Sequence, residues 1–505
     1  MENSRSKKAF RNTICQLLLE AITAACGLIL PRLILSYFGS TYNGIIQSIS
    51  QFISCIALLK SGIGSVTRAA LYKPLAQNDS VGISEVVNAT ELFMQKIALI
   101  FGLFVLLFAG IYPFIIKEDF SWFFVFSLVL VLSISTVAQY FFGMTYQMLI
   151  EAAQNNYIIS ITQMISILLN TLISAILIVL GCSIHIVKLA SAIVFIIPPV
   201  FYLLYARRKY KIDKKVSPNT NLISQRWDAF GHQLANFVNN NTDIIVTTVL
   251  LGVREVSVYA VYNMVSSNIR KIVNSVSAGT MAAFGNMIAK KEDEILKKRF
   301  EQYELLTFIS CYILFTTTAI LFIPFIAIYT KGISDVNYIR YGLSISFCIA
   351  EFFSCVKLVY ENVVFAAGKF KETKRMAYIE AVINILVSIL LARIIGLIGV
   401  LVGTICAGVF RTLMYNTYVS KNIVHRSSWK ILSKICYAVI CSAICYYIVV
   451  LLQLKYIDGF ASWIINAIFV IVISTIIGIV GAYLIFREDT KALINMFSRI
   501  IKSKH

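Results

Sequence analysis

Polar side chains spaced along one apolar stretch carry the most chemical information in this sequence. Gln233, Asn236, Asn240 and Asp243 recur at intervals of three and four residues, which places them on one face of a helix. Amide groups donate and accept hydrogen bonds, and a buried carboxylate titrates or binds a cation. The stripe therefore predicts the wall of a wet cavity, with Asp243 as the candidate site for a coupling proton or sodium ion. The alternative is a hydrogen-bonded seam between two membrane helices.

Basic side chains inside other apolar stretches form a second candidate group. They lie in the first, second and eighth stretches: Arg32, Lys60, Arg270 and Lys271. An ionised group that faces lipid costs about 2.5 to 3.5 kcal/mol, so these side chains are expected to face water or a partner. A guanidinium holds phosphate oxygens with two parallel hydrogen bonds, and an ammonium adds a point charge. Together with the amides of Asn236 and Asn240, which suit sugar hydroxyls, they predict a site for a pyrophosphate-bearing cargo.

Other charged residues in apolar stretches have structural explanations. Lys357 and Glu361 are four residues apart on one predicted helix and are expected to pair with each other. Lys188 and Arg411 lie near the ends of predicted spans, from which long side chains reach the membrane interface. These four residues are therefore predicted to serve the fold and not the cargo.

The elements that position these residues form two similar halves, offset by about 214 residues. The matching positions include Tyr146 with Tyr360, Gly39 with Gly252, and Gly181 with Gly396. A duplicated membrane protein is typically a transporter, because two similar bundles that rock against each other expose one central site to each face in turn. The repeat therefore predicts alternating access.

Composition places the chain in a lipid bilayer. Hydrophobic residues make up 58% of the 505 positions, charged residues make up only 14%, and the mean hydropathy is +0.79. The apolar stretches predict an all-α polytopic membrane protein with about 14 transmembrane helices. We expect an amino-terminal lobe of six helices at residues 1–215 and a carboxy-terminal lobe of six at residues 216–425. Two additional helices and a tail are expected at residues 426–505.

Lysine and arginine predict the orientation of the chain. Most of them fall in connections on the same side as the amino terminus, such as residues 207–215, 290–299 and 421–434. Because cytoplasmic loops are rich in these residues, both termini are predicted to be cytoplasmic. The net charge of +20 follows from this asymmetry and from attraction to an anionic inner leaflet. No nucleic-acid partner is therefore expected.

Motifs of enzymes and metal sites are missing from the sequence. There is no phosphate-binding Gly-x-x-x-x-Gly-Lys-Ser/Thr loop, no His-Glu-x-x-His pair and no Gly-x-Ser-x-Gly turn. Most of the 11 cysteines occur singly in apolar stretches, which is typical of packing and not of disulfides or metal ligands. The chain is therefore predicted to be a non-enzyme without cofactor or metal, driven by a proton or sodium gradient if it is coupled.

Three segments of the amino-terminal half resemble the opening of Wzx-type polysaccharide flippases: Leu30–Gly44, Ser61–Thr67 and Ala70–Ala76. These flippases carry oligosaccharide-linked lipids and share a superfamily with MATE-type multidrug exporters and lipid II flippases. The resemblance extends over essentially the whole chain in helix number and in the two-lobe repeat. The carboxy-terminal half matches in pattern.

The resemblance implies two six-helix lobes that form a V-shaped central cavity. It implies movement of an undecaprenyl-pyrophosphate-linked oligosaccharide unit from the cytoplasmic to the outer leaflet of the bacterial plasma membrane, for capsule, exopolysaccharide or O-antigen synthesis. The head-group contacts of the family map onto Arg32, Lys60 and Arg270, and the lysine among them lacks the two-pronged fork of an arginine. A polysaccharide polymerase and other assembly proteins are the implied partners.

Two other transport functions remain open. A lipid II flippase would use similar cavity charges. A MATE-like, cation-coupled drug exporter needs acidic residues for a cationic drug, whereas this cavity is predicted to be mainly basic, with Asp243 as its clear acid. A membrane glycosyltransferase is disfavoured, because the first outer loop, residues 38–43, contains no acidic metal-binding pair.

Overall fold

The computed structural model describes residues 2–54, 57–116, 118–220, 241–277, 280–452 and 458–502. Regular structure within these ranges is helical throughout, so the predicted all-α fold is confirmed. Gln233, Asn236 and Asn240 of the predicted polar stripe lie outside the described residues. The chain packs as two compact units, Met1–Ser257 and Val258–His505. The three-part division at residues 215 and 425 stays a prediction.

The first unit contains the helices up to the first turn of α10. They are α1 (Glu2–Phe38), α2 (Ser40–Ser54), α3 (Ala57–Gln77), α4 (Ser80–Ile111), α5 (Trp122–Ala138), α6 (Met144–Ala152), α7 (Asn156–Val179), α8 (Ile184–Tyr210) and α9 (Asn241–Leu251). A π-helical turn, Gln139–Gly143, joins α5 to α6 within one span. Phe101, Tyr112 and Leu128 are among the fully buried side chains of the unit's core, which α4 and α5 build around α2.

The second unit contains the rest of α10 and the helices that follow. They are α10 (Val253–Ser277), α11 (Thr280–Ala289), α12 (Asp293–Tyr329), α13 (Tyr341–Ala366), α14 (Phe370–Ile395), α15 (Leu397–Asn422), α16 (Lys430–Leu451), α17 (Phe460–Ile485) and α18 (Arg487–Lys502). The two additional helices, α16 and α17, pack against α12 around the buried rings of Tyr312 and Tyr437. Thr316 and Ser442 add a hydrogen bond of 2.6 Å between α12 and α16.

Eleven helices among the described residues are long and apolar enough to cross a membrane. They coincide with eleven of the predicted spans. The other three, the second, seventh and eighth, are predicted near residues 44–70, 228–251 and 256–288, and each contains residues outside the described ranges. The chain is therefore a multi-pass membrane protein. The three remaining spans, described as α2 with α3, as α9, and as α10 with α11, include the predicted site residues Lys60, Asp243 and Arg270.

Left-handed backbone positions repeat at the predicted offset. Five pairs of residues with φ between 48° and 96° are separated by 213 to 215 positions: Gly39 and Gly252, Asn78 and Lys291, Gln154 and Gly368, Gly181 and Gly396, and Lys211 and His425. A helix that ends in the same way needs the same left-handed residue to turn the chain. The two halves therefore share their turns as well as their helices.

Burial defines the register between equivalent helices. Ser166, Asn170 and Ser174 of α7 are buried, as are Glu380, Asn384 and Ser388 of α14, which lie 214 positions later. Pro198 and Tyr202 of α8 are buried, as are Arg411 and Tyr415 of α15, which lie 213 positions later. The same helix faces are thus turned inward in both units, and differences in residue type at these positions can be compared directly.

Candidate functional site

The predicted cationic residues are divided between the two units. Arg32 is half-buried in α1, directly after Pro31, and its carbonyl accepts a hydrogen bond of 2.9 Å from Ser36 Oγ. Lys60 belongs to α3, and its side chain lies outside the described part of the structure. Arg270 and Lys271 lie on α10 in the second unit.

Arg270 has a carboxylate partner that the sequence did not predict. Its Nη1 atom lies 3.1 Å from Oε2 of Glu351 on α13, and 32% of the Arg270 side chain is exposed against 7% for Glu351. The guanidinium therefore keeps an accessible edge, with the carboxylate buried beside it. Lys271 is exposed and donates a hydrogen bond of 3.4 Å to Asn268 Oδ1. An anion that reaches Arg270 would compete with Glu351 for the guanidinium donors.

The described part of the seventh span, α9, forms a hydrogen-bonded seam with α2. The hydroxyls of Thr248 and Ser48 lie 2.7 Å apart, and the side-chain amides of Asn241 and Gln51 are also bonded. Asp243 is buried on the same helix. These bonds are made by Asn241 and Thr248, and the stripe residues Gln233, Asn236 and Asn240 lie outside the described residues, so the choice between a cavity wall and a seam for the stripe stays a prediction. The coupling role of Asp243 stays a prediction.

A fully buried carboxylate organises one end of the second unit. Arg426 Nη1 and Nη2 donate to the two oxygens of Glu304 on α12, each over 2.6 Å. Lys434 and the hydroxyl of Tyr360 also donate to this carboxylate. Burial alone would lower the pKa of Arg426, which precedes α16, but its hydrogen bonds to Glu304 outweigh burial and raise that pKa. These four residues are the Glu304 cluster.

A related cluster occupies the equivalent place in the first unit. Glu91 on α4 accepts hydrogen bonds of 3.1 Å from the Tyr146 hydroxyl and from Lys214 Nζ, and Arg207 Nη2 lies 3.9 Å away. The carboxylate and the tyrosine precede their counterparts in the Glu304 cluster by 213 and 214 positions. The cations of the two clusters differ in exposure. Lys214 and Arg207 are 54% and 39% exposed, whereas Arg426 and Lys434 are buried. Glu91, Tyr146, Arg207 and Lys214 are the Glu91 cluster.

A second ion network of the second unit lies among α13, α14 and α15. Lys357 Nζ is 3.0 Å from Glu380 Oε1, and Arg411 donates to the other oxygen of Glu380. Arg411 Nη2 also lies 3.4 Å from Glu361 Oε1, and its guanidinium lies 4.3 Å from the centre of the Tyr415 ring. Two carboxylates and two cations leave this Glu380 network neutral, as burial within apolar helices requires.

The Glu380 network corrects two predictions made from the sequence. The pairing of Lys357 with Glu361 on one helix is wrong, because each residue joins a partner from a neighbouring helix instead. The prediction that Arg411 reaches the membrane interface is also wrong, since its side chain is only 3% exposed and is held by Glu380. Residue spacing along one helix does not show whether another helix offers a closer partner.

Comparisons with known proteins bear on the fold. A family model described as MatE matches residues 229–390. No curated protein matches the chain. Among solved structures, the lipid II flippase MurJ in an inward closed conformation has a TM-score of 0.69, with 14% identity over 94% of this chain and 99% of that chain. The chain has the fold of MOP superfamily transporters.

Two further solved structures share this fold. An inward-facing multidrug resistance MATE family transporter of the MOP superfamily has a TM-score of 0.62, with 14% identity over 81% of this chain and 98% of that chain. A MOP superfamily transporter from Pyrococcus furiosus, whose reversed binding-pocket polarity suggests a different function, has a TM-score of 0.53, with 12% identity over 82% of this chain and 96% of that chain. At these identities the likeness defines the fold, and the cargo must be inferred from the residues.

Sequence reasoning missed Glu304 and Glu380, which are the most buried carboxylates among the described residues. Each lies close to the start of a predicted span, where a carboxylate is ordinarily solvated. The repeat was the signal that would have found the first of them. Glu91 and Glu304 stand at equivalent distances before the paired tyrosines Tyr146 and Tyr360. No comparable signal existed for Glu380, because the equivalent residue of the first half is Ser166.

Proposed function

We propose that this protein flips an undecaprenyl-pyrophosphate-linked oligosaccharide unit from the cytoplasmic to the outer leaflet of the bacterial plasma membrane, for capsule, exopolysaccharide or O-antigen synthesis. The observation that supports it most is the extent of the fold likeness. A lipid II flippase aligns with 94% of the chain, whereas the inward-facing multidrug transporter aligns with 81%. The longer match favours a lipid-linked cargo over a soluble drug.

Charge supports an anionic head group. Arg32, Lys60, Arg270 and Lys271 are basic, and Asp243 is the acid that the sequence assigns to the same predicted cavity. Glu351 is buried and already paired with Arg270, so it offers little to a cationic drug. We infer that the pyrophosphate binds the exposed edge of the Arg270 guanidinium and displaces Glu351 from that guanidinium. Arg32 of the first unit also binds the head group.

The cycle that we propose is alternating access, with both termini cytoplasmic. Pyrophosphate neutralises the basic side chains during the crossing, and the polyprenyl tail stays in lipid. Asp243 is the proposed coupling site for a proton or sodium ion. A polymerase that joins the delivered units is the proposed partner on the outer side.

Reconstituted transport tests this function directly. Proteoliposomes that contain the full chain are expected to move lipid-linked repeat units to the opposite leaflet, and Arg270→Ala is expected to abolish that movement. Arg393→Ala serves as the matched control, because Arg393 is an exposed arginine at the end of α14 and does not belong to the proposed head-group site. Equal activity of the wild type and Arg270→Ala would contradict the role assigned to Arg270.

A lipid II flippase is the second candidate, because the fold likeness to such a flippase is extensive. The same vesicles distinguish the two functions when lipid II and the lipid-linked repeat unit are offered in competition. Preferential movement of lipid II would favour the second candidate. Movement of a cationic dye, together with no movement of either lipid, would favour a MATE-like exporter.

A further inference from the structure

A polar cavity inside the first unit is not used by the proposed head-group site. It has a volume of about 230 Å³ and lies among α5, the π-helical turn, α7 and α8. Its polar lining consists of Ser135, Thr136, Gln139, Gln163, Ser166 and Tyr202. Phe195, which is 36% exposed, stands at its edge, and the two glutamines are half-buried, so the cavity is reached from the surface of the unit.

Local backbone chemistry produces this cavity. A Cβ atom on Gly143, the last residue of the π-helical turn, would lie 2.6 Å from Pro199 Cβ, so the absence of a side chain lets α8 approach the turn. Pro198 and Pro199 lie inside α8 and remove backbone donors there. The π-helical turn begins at Gln139, which lines the cavity, and such turns are frequent at functional sites.

The second unit fills the equivalent place with ions. The positions equivalent to Gly143, Ser166 and Pro198 are Lys357, Glu380 and Arg411, which together form the centre of the Glu380 network. Tyr202 and Tyr415 are the equivalent tyrosines. The same helix faces thus enclose a neutral cavity in one unit and a closed set of ion pairs in the other. The cavity is therefore a specific difference between the repeats.

One buried group in the cavity has an unmet hydrogen-bonding need. Ser166 is only 1% exposed, and its Oγ atom has no hydrogen-bond partner among the described residues. A buried hydroxyl without a partner is destabilising relative to one that is bonded. A hydroxyl or amide group that enters the cavity would satisfy it.

The chemistry of the lining selects the class of ligand. Hydroxyls and side-chain amides each donate and accept hydrogen bonds, as a sugar hydroxyl does. Among the described residues the lining contains no charged side chain, so an ionised ligand would be buried there without a counter-ion. The volume equals that of about seven or eight water molecules, which is suitable for a single sugar ring and too small for most drug-sized ligands.

We propose that this cavity binds one neutral monosaccharide residue of the lipid-linked cargo. The proposal rests on the proposed function and adds a sugar-recognition site that is separate from the residues assigned to the pyrophosphate. Ser166 and Gln163 on α7 and Gln139 in the π-helical turn bond the sugar hydroxyls, and the ring of Tyr202 supports the sugar face. The site belongs wholly to the first unit.

Two lipid probes separate sugar binding from head-group binding. The purified full-length protein in nanodiscs is titrated with undecaprenyl pyrophosphate and with lipid-linked repeat units extracted from the host strain. The wild type is expected to bind the sugar-bearing lipid about five- to tenfold more tightly, as one or two additional hydrogen bonds would give. Ser166→Leu and Gln163→Leu are expected to bring this ratio close to one and to leave the affinity for undecaprenyl pyrophosphate unchanged.

Thr162→Leu is the matched control. Thr162 is a half-buried polar residue on α7 that bonds its own helix at Ile158 O and does not line the cavity, so the wild-type ratio is expected. Gln163 is half-buried, so its variant tests the proposal even if Ser166→Leu does not fold. A ratio of one in the wild type, or an unchanged ratio in Gln163→Leu, would overturn the sugar site. Failure of both lipids to bind the wild type would instead overturn the proposed function.

Discussion

In the first unit the hydroxyl of Tyr146 reaches Glu91, and in the second unit the hydroxyl of Tyr360 reaches Glu304. The same carboxylate and tyrosine therefore join equivalent helices in both repeats. The cations that complete each cluster come from different positions, and they are almost fully buried only in the second unit. The two repeats thus share the buried carboxylate and differ in the cations that neutralise its charge.

The two units also differ at the centre of the fourth, fifth and sixth helices of each repeat. There the second unit has the Glu380 network, and the first unit has the neutral cavity that contains Ser166. Ion pairs lock three helices together, because each charge needs its partners to remain buried. A neutral polar cavity carries no such requirement. We therefore expect the second unit to be the more rigid at this level, and the cavity of the first unit to be the one that binds, as proposed above.

The largest effect is expected when the two clusters lose their carboxylates. Glu304→Ala leaves Arg426 and Lys434 buried without a counter-charge, which we expect to lower the free energy of unfolding by about 3–5 kcal/mol. Glu91→Ala leaves exposed cations that water can solvate, so a loss of about 1–2 kcal/mol is expected. Unfolding in mixed detergent micelles measures both values. Equal losses would show that exposure of the cations does not set the difference.

Exchange of the central residues tests the contrast between network and cavity. Glu380→Ser removes the shared partner of Arg411 and Lys357, and a loss of about 3 kcal/mol or more is expected. Ser166→Glu places a carboxyl group in a cavity whose described lining offers no cation, which we expect to cost about 1–3 kcal/mol. The same unfolding measurement applies. A stable Ser166→Glu protein would mean that the cavity is better solvated than its lining indicates.

Arg270 and Glu351 provide a transport test in the second unit. Arg270→Gln is expected to lower transport of the lipid-linked unit by about 30-fold or more, because a charge-assisted bidentate contact contributes roughly 2 kcal/mol or more. Glu351→Gln leaves the arginine and removes its competitor, so about threefold to tenfold tighter binding of undecaprenyl pyrophosphate is expected. Both are measured in reconstituted vesicles or nanodiscs. Weaker pyrophosphate binding by Glu351→Gln would show that the carboxylate positions the arginine and does not compete with the cargo.

Arg32 provides the corresponding test in the first unit. Arg32→Lys keeps the charge and loses the two-pronged fork, so we expect transport to fall by about tenfold, which corresponds to about 1.4 kcal/mol. Arg32→Ala is expected to have a larger effect than the lysine variant. Surface polysaccharide and vesicle transport provide the readouts. If lysine and alanine variants behave alike, the geometry of the fork and not the charge is the essential property.

The smallest effect is expected from Asp489 on α18, a helix outside the repeat. Burial and the nearby charge of Glu301 raise the pKa of Asp489 above its usual value of 3.8. A raised pKa in the folded state means that Asp489 contributes stability below its usual pKa and that this contribution is lost as pH rises through the folded value. Asp489→Asn is therefore expected to reduce the fall in melting temperature as the pH rises above about 3.8. An unchanged pH profile would show that other groups determine it.

The sequence predicted the class of protein and the repeat from simple constraints. Apolar stretches of membrane length must form helices, because backbone groups find no other partners in lipid. Turns such as those at Gly181 and Gly396 could be paired because a left-handed residue is needed wherever the chain turns in the same way. The spans could be predicted along most of the chain because apolar stretches of membrane length are recognisable in the sequence.

Only the tertiary structure decided which charges have partners. Lys357 lies as close in sequence to Glu361 as a helical pair requires, yet it bonds Glu380 from another helix. Arg270 was predicted from its charge alone, whereas its partner Glu351 lies 81 positions later on α13. Hydrophobic periodicity determines which face of a helix is buried, but the identity of the neighbouring face depends on how all the helices pack. That packing made ion pairs in one repeat and left a polar cavity in the other.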